Sequence, residues 1–318
     1  MQTGCRLRRT ACSFCLPPRK LLSGLFELPD KFVDISRLKA RSVLRLDAFA
    51  DIHSLLHPAE FGIYEGKFAE IIRSGEHIVG SIRSLRPYYL SVALSYDAIV
   101  IHAGGSEQAY SDVKTYNADH LDGVRDGNTS SMFYRDASRG QHGSEHTLFF
   151  HGANVETLVG QYKFRTEHES SYKTGLNFAD NAVQQCTGGA AANVQVTFNT
   201  SKSTSFAYHA DSGKYTAVQY KADYKDGATG EAVPFSNLLI LSADMKTVDS
   251  YGRLAVDLIG SGTGYFVTGG EYVPIKWSRS DINSCFTYTL EDGTALNLSR
   301  GTTYVGVIPT NGGSANFS

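Results

Sequence analysis

The sequence predicts an α+β protein in two parts, an N-terminal α/β domain followed by a mainly antiparallel β domain. Three observations carry this. An apolar, β-branched run, Asp97-Ala98-Ile99-Val100-Ile101-His102-Ala103, stops at Gly104-Gly105 and gives way to a helix start at Ser106, the pattern of a buried strand feeding a loop and a helix. Beyond residue 193, short β-rich segments alternate with turn dipeptides such as Gly269-Gly270 and Asp292-Gly293. The 318 residues are 42% hydrophobic and 19% charged, enough to bury two cores of ordinary size.

The elements follow in order. Residues 1–75 show weak periodicity, with possible helices at 47–56 and 59–72. Ile78–Ile82 reads as a short strand. Pro87 suits the first position of a helix, where its missing N–H is unpaired anyway, and Tyr88–Ser95 continues it. The apolar run 97–103 is the next strand, and Ser106 caps a helix reaching about Thr115. Strands are expected at 132–135 and 147–150, a loop at 138–144 and a helix at 154–161. We place the N-terminal domain at residues 76–165 and a linker at 166–192. The β domain covers 193–310, and 311–318 is a tail. Within the β domain, 204–208 and 215–220 form a hairpin around His209–Lys214. Further strands are expected at 237–241, 253–259, 264–268, 272–277, 286–290 and 303–308.

Charge is unevenly placed. The chain carries a net −2, yet residues 1–46 hold ten Lys/Arg against three acids, +7, so the remainder carries −9. Such an asymmetry flags a tail or a processing segment. No secretory signal is legible, because the stretch after Arg6, Arg8 and Arg9 is short and broken by Pro17-Pro18. Cys12-Ser13-Phe14-Cys15 is a lone Cys-x-x-Cys, without the second pair that a zinc site needs. Cys186 and Cys285 are read as single buried cysteines, and a disulfide between them stays open. The slightly acidic balance argues against nucleic acid.

The chemistry concentrates at Gly80–Tyr110. Arg83 and Arg86 stand between a strand end and a helix N-terminus, where free backbone N–H groups, the helix dipole and a planar guanidinium favour an anion. With the two strands parallel, the Gly104-Gly105-Ser106 loop lies on the same sheet edge. The sharp reading is an anion pocket formed by Arg83, Ser84, Arg86, Gly105 and Ser106, with Arg135 nearby. The plain reading is that these arginines pair with Asp97, Asp136 or other carboxylates and hold loops. His142-Gly143-Ser144-Glu145-His146 spells the inverted zinc-protease string, but Gly140, Gly143 and Ser144 oppose the helix it requires. We read it as a loop crossing near the arginines and expect no metal. His102, in an apolar strand, reads as a satisfied core or strand-end histidine. Gly260–Gly264 lacks the Lys-Ser/Thr ending of a phosphate loop. Tyr265, Phe266, Tyr272 and Trp277 read as core or cross-strand pairs.

Several of these strings also resemble the YerB-like family of bacterial lipoproteins, domain of unknown function 3048, in both its N- and C-terminal parts. The carriers are Gly80–Tyr88, Tyr96-Asp97-Ala98, His102–Ser106 with Ala109, Phe133–Asp136 and Glu145–Leu148. In the second half they are Phe206-Ala207-Tyr208, Asn237-Leu238-Leu239, Asp257-Leu258, Gly260–Gly262, Gly264–Phe266, Pro274-Ile275, Trp277 and Asp292-Gly293. The resemblance covers roughly residues 76–150 and 193–310. It implies a cell-envelope protein held to the membrane by a lipid anchor, which this chain as written lacks. The family's lipoprotein signal and its early motifs are not legible in residues 1–75. We read that segment as a wrong frame or mis-assigned start, with a divergent N-terminus as the alternative. On the first reading the N-terminal domain is incomplete, short of at least one strand. No nucleophile–base set, metal set or cofactor site is legible. The leading reading is therefore a ligand-binding or scaffold protein whose partner is an anionic envelope glycan or another envelope protein. The alternative is a hydrolase or transferase on a phosphate-bearing envelope polymer, with Asp136 or His146 as acid or base.

Overall fold

Strand β4 (Ile99–His102) is buried along its whole length, and the N-terminal half is built around it. The computed structural model of the chain describes residues 43–45, 60–63, 78–127, 132–151, 154–165, 168–226 and 230–318. The early elements are β1 (Val43–Arg45), β2 (Glu60–Ile63) and β3 (Ile78–Gly80). Helix α1 (Pro87–Ser95) precedes β4, and α2 (Glu107–Thr115) follows it. Then come β5 (His120–Asp122), β6 (Phe133–Arg135), β7 (Leu148–His151) and α3 (Asn154–Tyr162).

The parallel sheet has the order β1-β4-β5. The strand–helix–strand unit is therefore β4-α2-β5. The expected pairing of Ile78–Ile82 with the 97–103 strand is not formed. Both edges of β4 are taken by β1 and β5, and β3 instead joins an antiparallel sheet of order β3-β7-β6.

Local chemistry explains the helices. Pro87 stands at the first turn of α1. Seven of its nine residues are buried, so it is a core helix rather than an amphipathic one. Ser106 caps α2, its hydroxyl accepting from the Ala109 N–H at 3.2 Å. Ala109 and Val113, four residues apart, are its buried face.

The C-terminal half is antiparallel for the most part. Its strands are β8 (Asn193–Thr197), β9 (Ser203–His209), β10 (Lys214–Gln219), β11 (Asn237–Ala243), β12 (Gly260–Thr268), β13 (Glu271–Arg279), β14 (Thr287–Leu290), β15 (Thr303–Pro309) and β16 (Ser314–Phe317). Among the described residues, one sheet runs β14-β13-β12-β11-β15-β2. A second runs from Ala222–Asp223 through β10, β9 and β8 to β16. Residues 314–317, read as part of a tail, are thus a strand whose backbone pairs with β8. The glycine-rich stretch 260–264 is strand as well. A Cβ at Gly264 would come within 2.4 Å of the Ile240 carbonyl oxygen, so close strand packing, not a loop, demands glycine there.

β11 is buried on both faces. Leu238 and Ile240 pack with Phe206, Phe235 and Tyr304 between the two sheets. Leu239 and Leu241 pack on the other side with Trp277, Phe286 and α1 residues Tyr88, Leu90 and Val92. The two halves of the chain therefore share a core. Buried Arg279, at the end of β13, fastens them. It donates to the Ser91 hydroxyl and carbonyl, both at 2.7 Å, to the Ser284 carbonyl at 2.8 Å and to the Ile282 carbonyl. Burial pulls its guanidinium down to about 10. Cys285 donates its thiol to the Ser95 carbonyl at 2.8 Å. Cys285 and Cys186 are both free thiols, Cys186 buried and Cys285 half-buried.

Candidate functional site

The loop that leaves β4 runs beside the segment that enters α1. Ala103 N–H donates to the Arg83 carbonyl at 2.9 Å, Leu85 N–H to the Gly104 carbonyl at 2.9 Å, and Ser106 N–H to the Leu85 carbonyl at 3.2 Å. The Ser84 hydroxyl donates to the Ala103 carbonyl at 3.1 Å. Glycine at 105 eases this approach, since a Cβ there would stand 3.3 Å from the Leu85 side chain, its carbonyl and the Tyr110 ring, a tight fit. Arg83, Ser84, Arg86, Gly105 and Ser106 are thus brought to one edge, beside the N-termini of two helices. Backbone bonds do this, although the two strands first expected to do it are in different sheets.

Their side chains divide by role. The hydroxyls of Ser84 and Ser106 are spent on the scaffold, on Ala103 and as the α2 cap. The Arg83 guanidinium lies against the ring of buried His146, 3.3 and 3.2 Å from Nδ1 and Nε2. Arg135 donates to the Ser144 carbonyl at 2.6 Å and the Thr147 hydroxyl at 2.9 Å, and Arg139 to the His146 carbonyl at 3.2 Å. The 142–146 string therefore crosses beside Arg83. It does so in two 3-10 turns, Ala137–His142 and Ser144–His146, and not in an α-helix. Arg86 donates to its neighbour's carbonyl, Leu85, at 2.9 Å. It forms no ion pair among the described residues.

The carboxylates weighed as structural partners are engaged elsewhere. Asp97 takes a two-pronged bond from Arg165, at 2.5 and 2.9 Å, and one from His168 at 3.0 Å. Asp136 caps the first 3-10 turn, accepting from the Ser138 hydroxyl at 2.6 Å and N–H at 2.9 Å. Those bonds hold its carboxyl below the ordinary range, which makes it a weak general acid.

The sequence reading missed a second cluster where β4 and β5 pair. His102 is fully buried. Its Nδ1 lies 2.9 Å from the Gly104 carbonyl and its Nε2 2.8 Å from His120 Nδ1. Asp122, also buried, accepts from the N–H groups of Gly104 and Val124, both at 2.9 Å, and from the Tyr110 hydroxyl. The Arg125 guanidinium covers the Tyr110 ring at 4.0 Å. Burial lowers His102 to about 4, against smaller upward pulls from Asp122 and the Gly104 bond. Burial lowers His120 too, opposed by Asp122, Asp126 and Asp119. For Asp122, burial alone acts upward, but the bonds from Tyr110, Gly104 and Val124 and the nearby His102 outweigh it, and the carboxyl falls below its usual range. His102 and His120 are thus neutral at pH 7 and Asp122 is charged.

Among the described residues, no group of three or more His, Cys, Asp or Glu side chains is placed to hold a metal ion. No helix is long and apolar enough to cross a membrane. An open cleft of about 460 Å³ in the C-terminal half is lined by Cys186, Tyr208, Gly270 and Glu271 among others. Burial pushes the Cys186 thiol up to about 12, which makes that cysteine a poor nucleophile. The Cys12–Cys15 pair lies outside the described residues.

Two family models match the chain. The N-terminal domain of the protein of unknown function DUF3048 matches residues 61–165, beginning ahead of the boundary read at 76. The DUF3048 C-terminal domain matches residues 194–305. The chain is 25% identical over 236 residues to a Bacillus subtilis (strain 168) protein named "Putative lipoprotein YerB", covering 73% of this chain and 67% of that one. The crystal structure of the YerB protein from Bacillus subtilis is similar in fold, with a TM-score of 0.62 at 23% identity, over 75% of this chain and 77% of the other.

Proposed function

Because this chain belongs to the DUF3048 family and carries both of its domains, we propose that it is a cell-envelope protein that binds an anionic ligand at the edge joining residues 83–86 to residues 103–106. The lipoprotein name of its relative supports the location. In this reading the N-terminal α/β part, residues 76–165, holds the site. The β part, residues 193–310, braces it through the shared core. A phosphate-bearing envelope glycan has the charge to fit, with membrane attachment through a lipid anchor.

The observation that carries the reading is Arg86. It is half-buried at the N-cap of a nine-residue helix, and no carboxylate among the described residues neutralises it. Helix N–H groups and the dipole add to its pull on an anion. Binding rather than catalysis is favoured because Asp136 is hydrogen bonded to Ser138 and to neither Arg83 nor Arg86.

Thermal unfolding with inorganic phosphate tests it. Phosphate at about a hundred times its dissociation constant stabilises a one-site protein by about 2.7 kcal/mol. Wild-type protein is expected to show the corresponding rise in Tm, and Arg86→Ala to fold normally but lose it, because among the described residues its side chain bonds only the Leu85 carbonyl. Equal rises in both proteins would remove Arg86 from the site.

A further inference from the structure

We infer that the open cleft in the C-terminal half is a separate binding site, for a ligand that carries an ammonium group, with the Glu271 carboxylate as its counter-charge and the Tyr208 ring as its aromatic contact. The inference is independent of the anion site at Arg86.

The cleft is framed by backbone that is fixed on two sides. Residues 188–192 run beside the start of β13. Gly188 N–H donates to the Tyr272 carbonyl at 2.8 Å and Ala191 N–H to the Gly270 carbonyl at 2.7 Å, while Gly189 and Ala190 pair with Tyr272 and Glu271. On the other side, Tyr208 N–H donates to the Ala192 carbonyl at 2.8 Å. The hydroxyl of buried Tyr215 ties the two runs, donating to the Ala191 carbonyl at 3.1 Å and accepting from the Gly270 N–H at 3.0 Å. The cleft is therefore preformed, and its volume of about 460 Å³ suits a small molecule or a single side chain.

Its lining sets the chemistry. The ring of Tyr208 packs on the backbone of Gly270, where a Cβ would stand 3.0 Å from ring Cδ1 and φ is +84°. Glu271 is the next residue, and ring and carboxylate both line the cleft. Glu271 is exposed, and its side chain makes no ion pair or hydrogen bond among the described residues. Its charge acts on both the Cys186 thiol and the Tyr215 hydroxyl, so it is felt inside the cleft. None of the lining side chains is cationic. An anion is thus repelled, and a neutral ligand leaves the carboxylate unmet. One carboxylate is too few ligands for a metal ion. An ammonium satisfies both groups, with a charge-assisted hydrogen bond to Glu271 and cation–π attraction to Tyr208. An amino sugar and a lysine side chain share that chemistry.

Calorimetry on the full chain tests this with three probes: 6-amino-6-deoxyglucose, glucose, and Nα-acetyl-lysine methylamide. The amino sugar is expected to bind about fivefold more tightly than glucose, the worth of one exposed charge pair. Glu271→Gln keeps the shape at an exposed position and should abolish that preference. Tyr208→Leu keeps an apolar side chain without a π face and should weaken both ammonium probes. Tighter binding of the amino sugar than of the lysine amide assigns a glycan source, and the reverse a protein side chain; either order supports the ammonium site. Equal binding of amino sugar and glucose, a preference that survives in Glu271→Gln, or failure of both ammonium probes to bind overturns it. Arg86→Ala is expected to leave these affinities unchanged, and a loss there overturns the assignment to this cleft. Loss of phosphate binding alone bears on the Arg86 reading and leaves this one standing.

Discussion

His102 makes the protein sensitive to acid in a defined window. The folded chain holds it at about 4, well below the ordinary histidine value of 6.5. As pH falls through 6.5 the unfolded chain takes up a proton that the folded chain refuses. This part of the stability is complete above about pH 6.5 and declines down to about pH 4, by about 3 kcal/mol in total. Asp122 acts in the same direction at lower pH, since its folded carboxyl is held down. Urea unfolding between pH 7 and 4.5 should show the decline in wild-type protein. His102→Gln should show a flatter profile over that range, and an unchanged slope would mean that His102 titrates freely. At this scale the sequence was partly legible. A histidine inside an apolar strand, Ile99-Val100-Ile101-His102, announces burial. Its partner stands eighteen residues on, in a strand three residues long, too short to show any periodicity. Arg83 and His146 are 63 positions apart, and only the crossing of the loop brings them into contact.

Among the elements, the end of β13 matters most for holding α1. Arg279 is 2% exposed and serves backbone carbonyls and a hydroxyl rather than a carboxylate. Removing it leaves the carbonyls of Ser91, Ile282 and Ser284 without this donor inside the protein. Arg279→Met should therefore cost about 3 kcal/mol in denaturant unfolding. Arg279→Lys should recover little, because one ammonium cannot reproduce a fork that reaches four oxygens. A loss below about 1 kcal/mol would mean that water replaces the guanidinium. Elements with chemical punctuation were legible: Pro87 opens α1, Ser106 caps α2, and the hairpin turn sits at 209–214. Those set by pairing alone were not. β16 exists because β8 offers it an edge. The strand at 260–264 hides behind its glycines, of which Gly262 and Gly264 are required by the contacts of β11 and β13.

At the scale of the molecule, each half of the chain keeps a hydrophobic cluster of its own, and a third is shared between them. The cluster that holds Tyr88 and Leu90 of α1 also holds Leu239, Leu241, Phe266 and Trp277. The chain's single tryptophan is thus a reporter of that common interior. Tryptophan fluorescence and far-ultraviolet circular dichroism should give coincident unfolding transitions across the described fold. Two separated midpoints would show that the halves melt independently. Composition and turn spacing reveal the change from α/β to β character near residue 193. They do not reveal the shared core, because the run Asn237-Leu238-Leu239-Ile240-Leu241 signals a doubly buried strand without saying what covers each face.

The Gly104 carbonyl accepts from two directions, from the chain entering α1 and from the histidine pair. A shift of that one oxygen is therefore a change in two hydrogen bonds at once. Whatever factor protonation of His102 imposes on the anion binding proposed at Arg86, a bound anion must return to the protonation of His102 in equal measure.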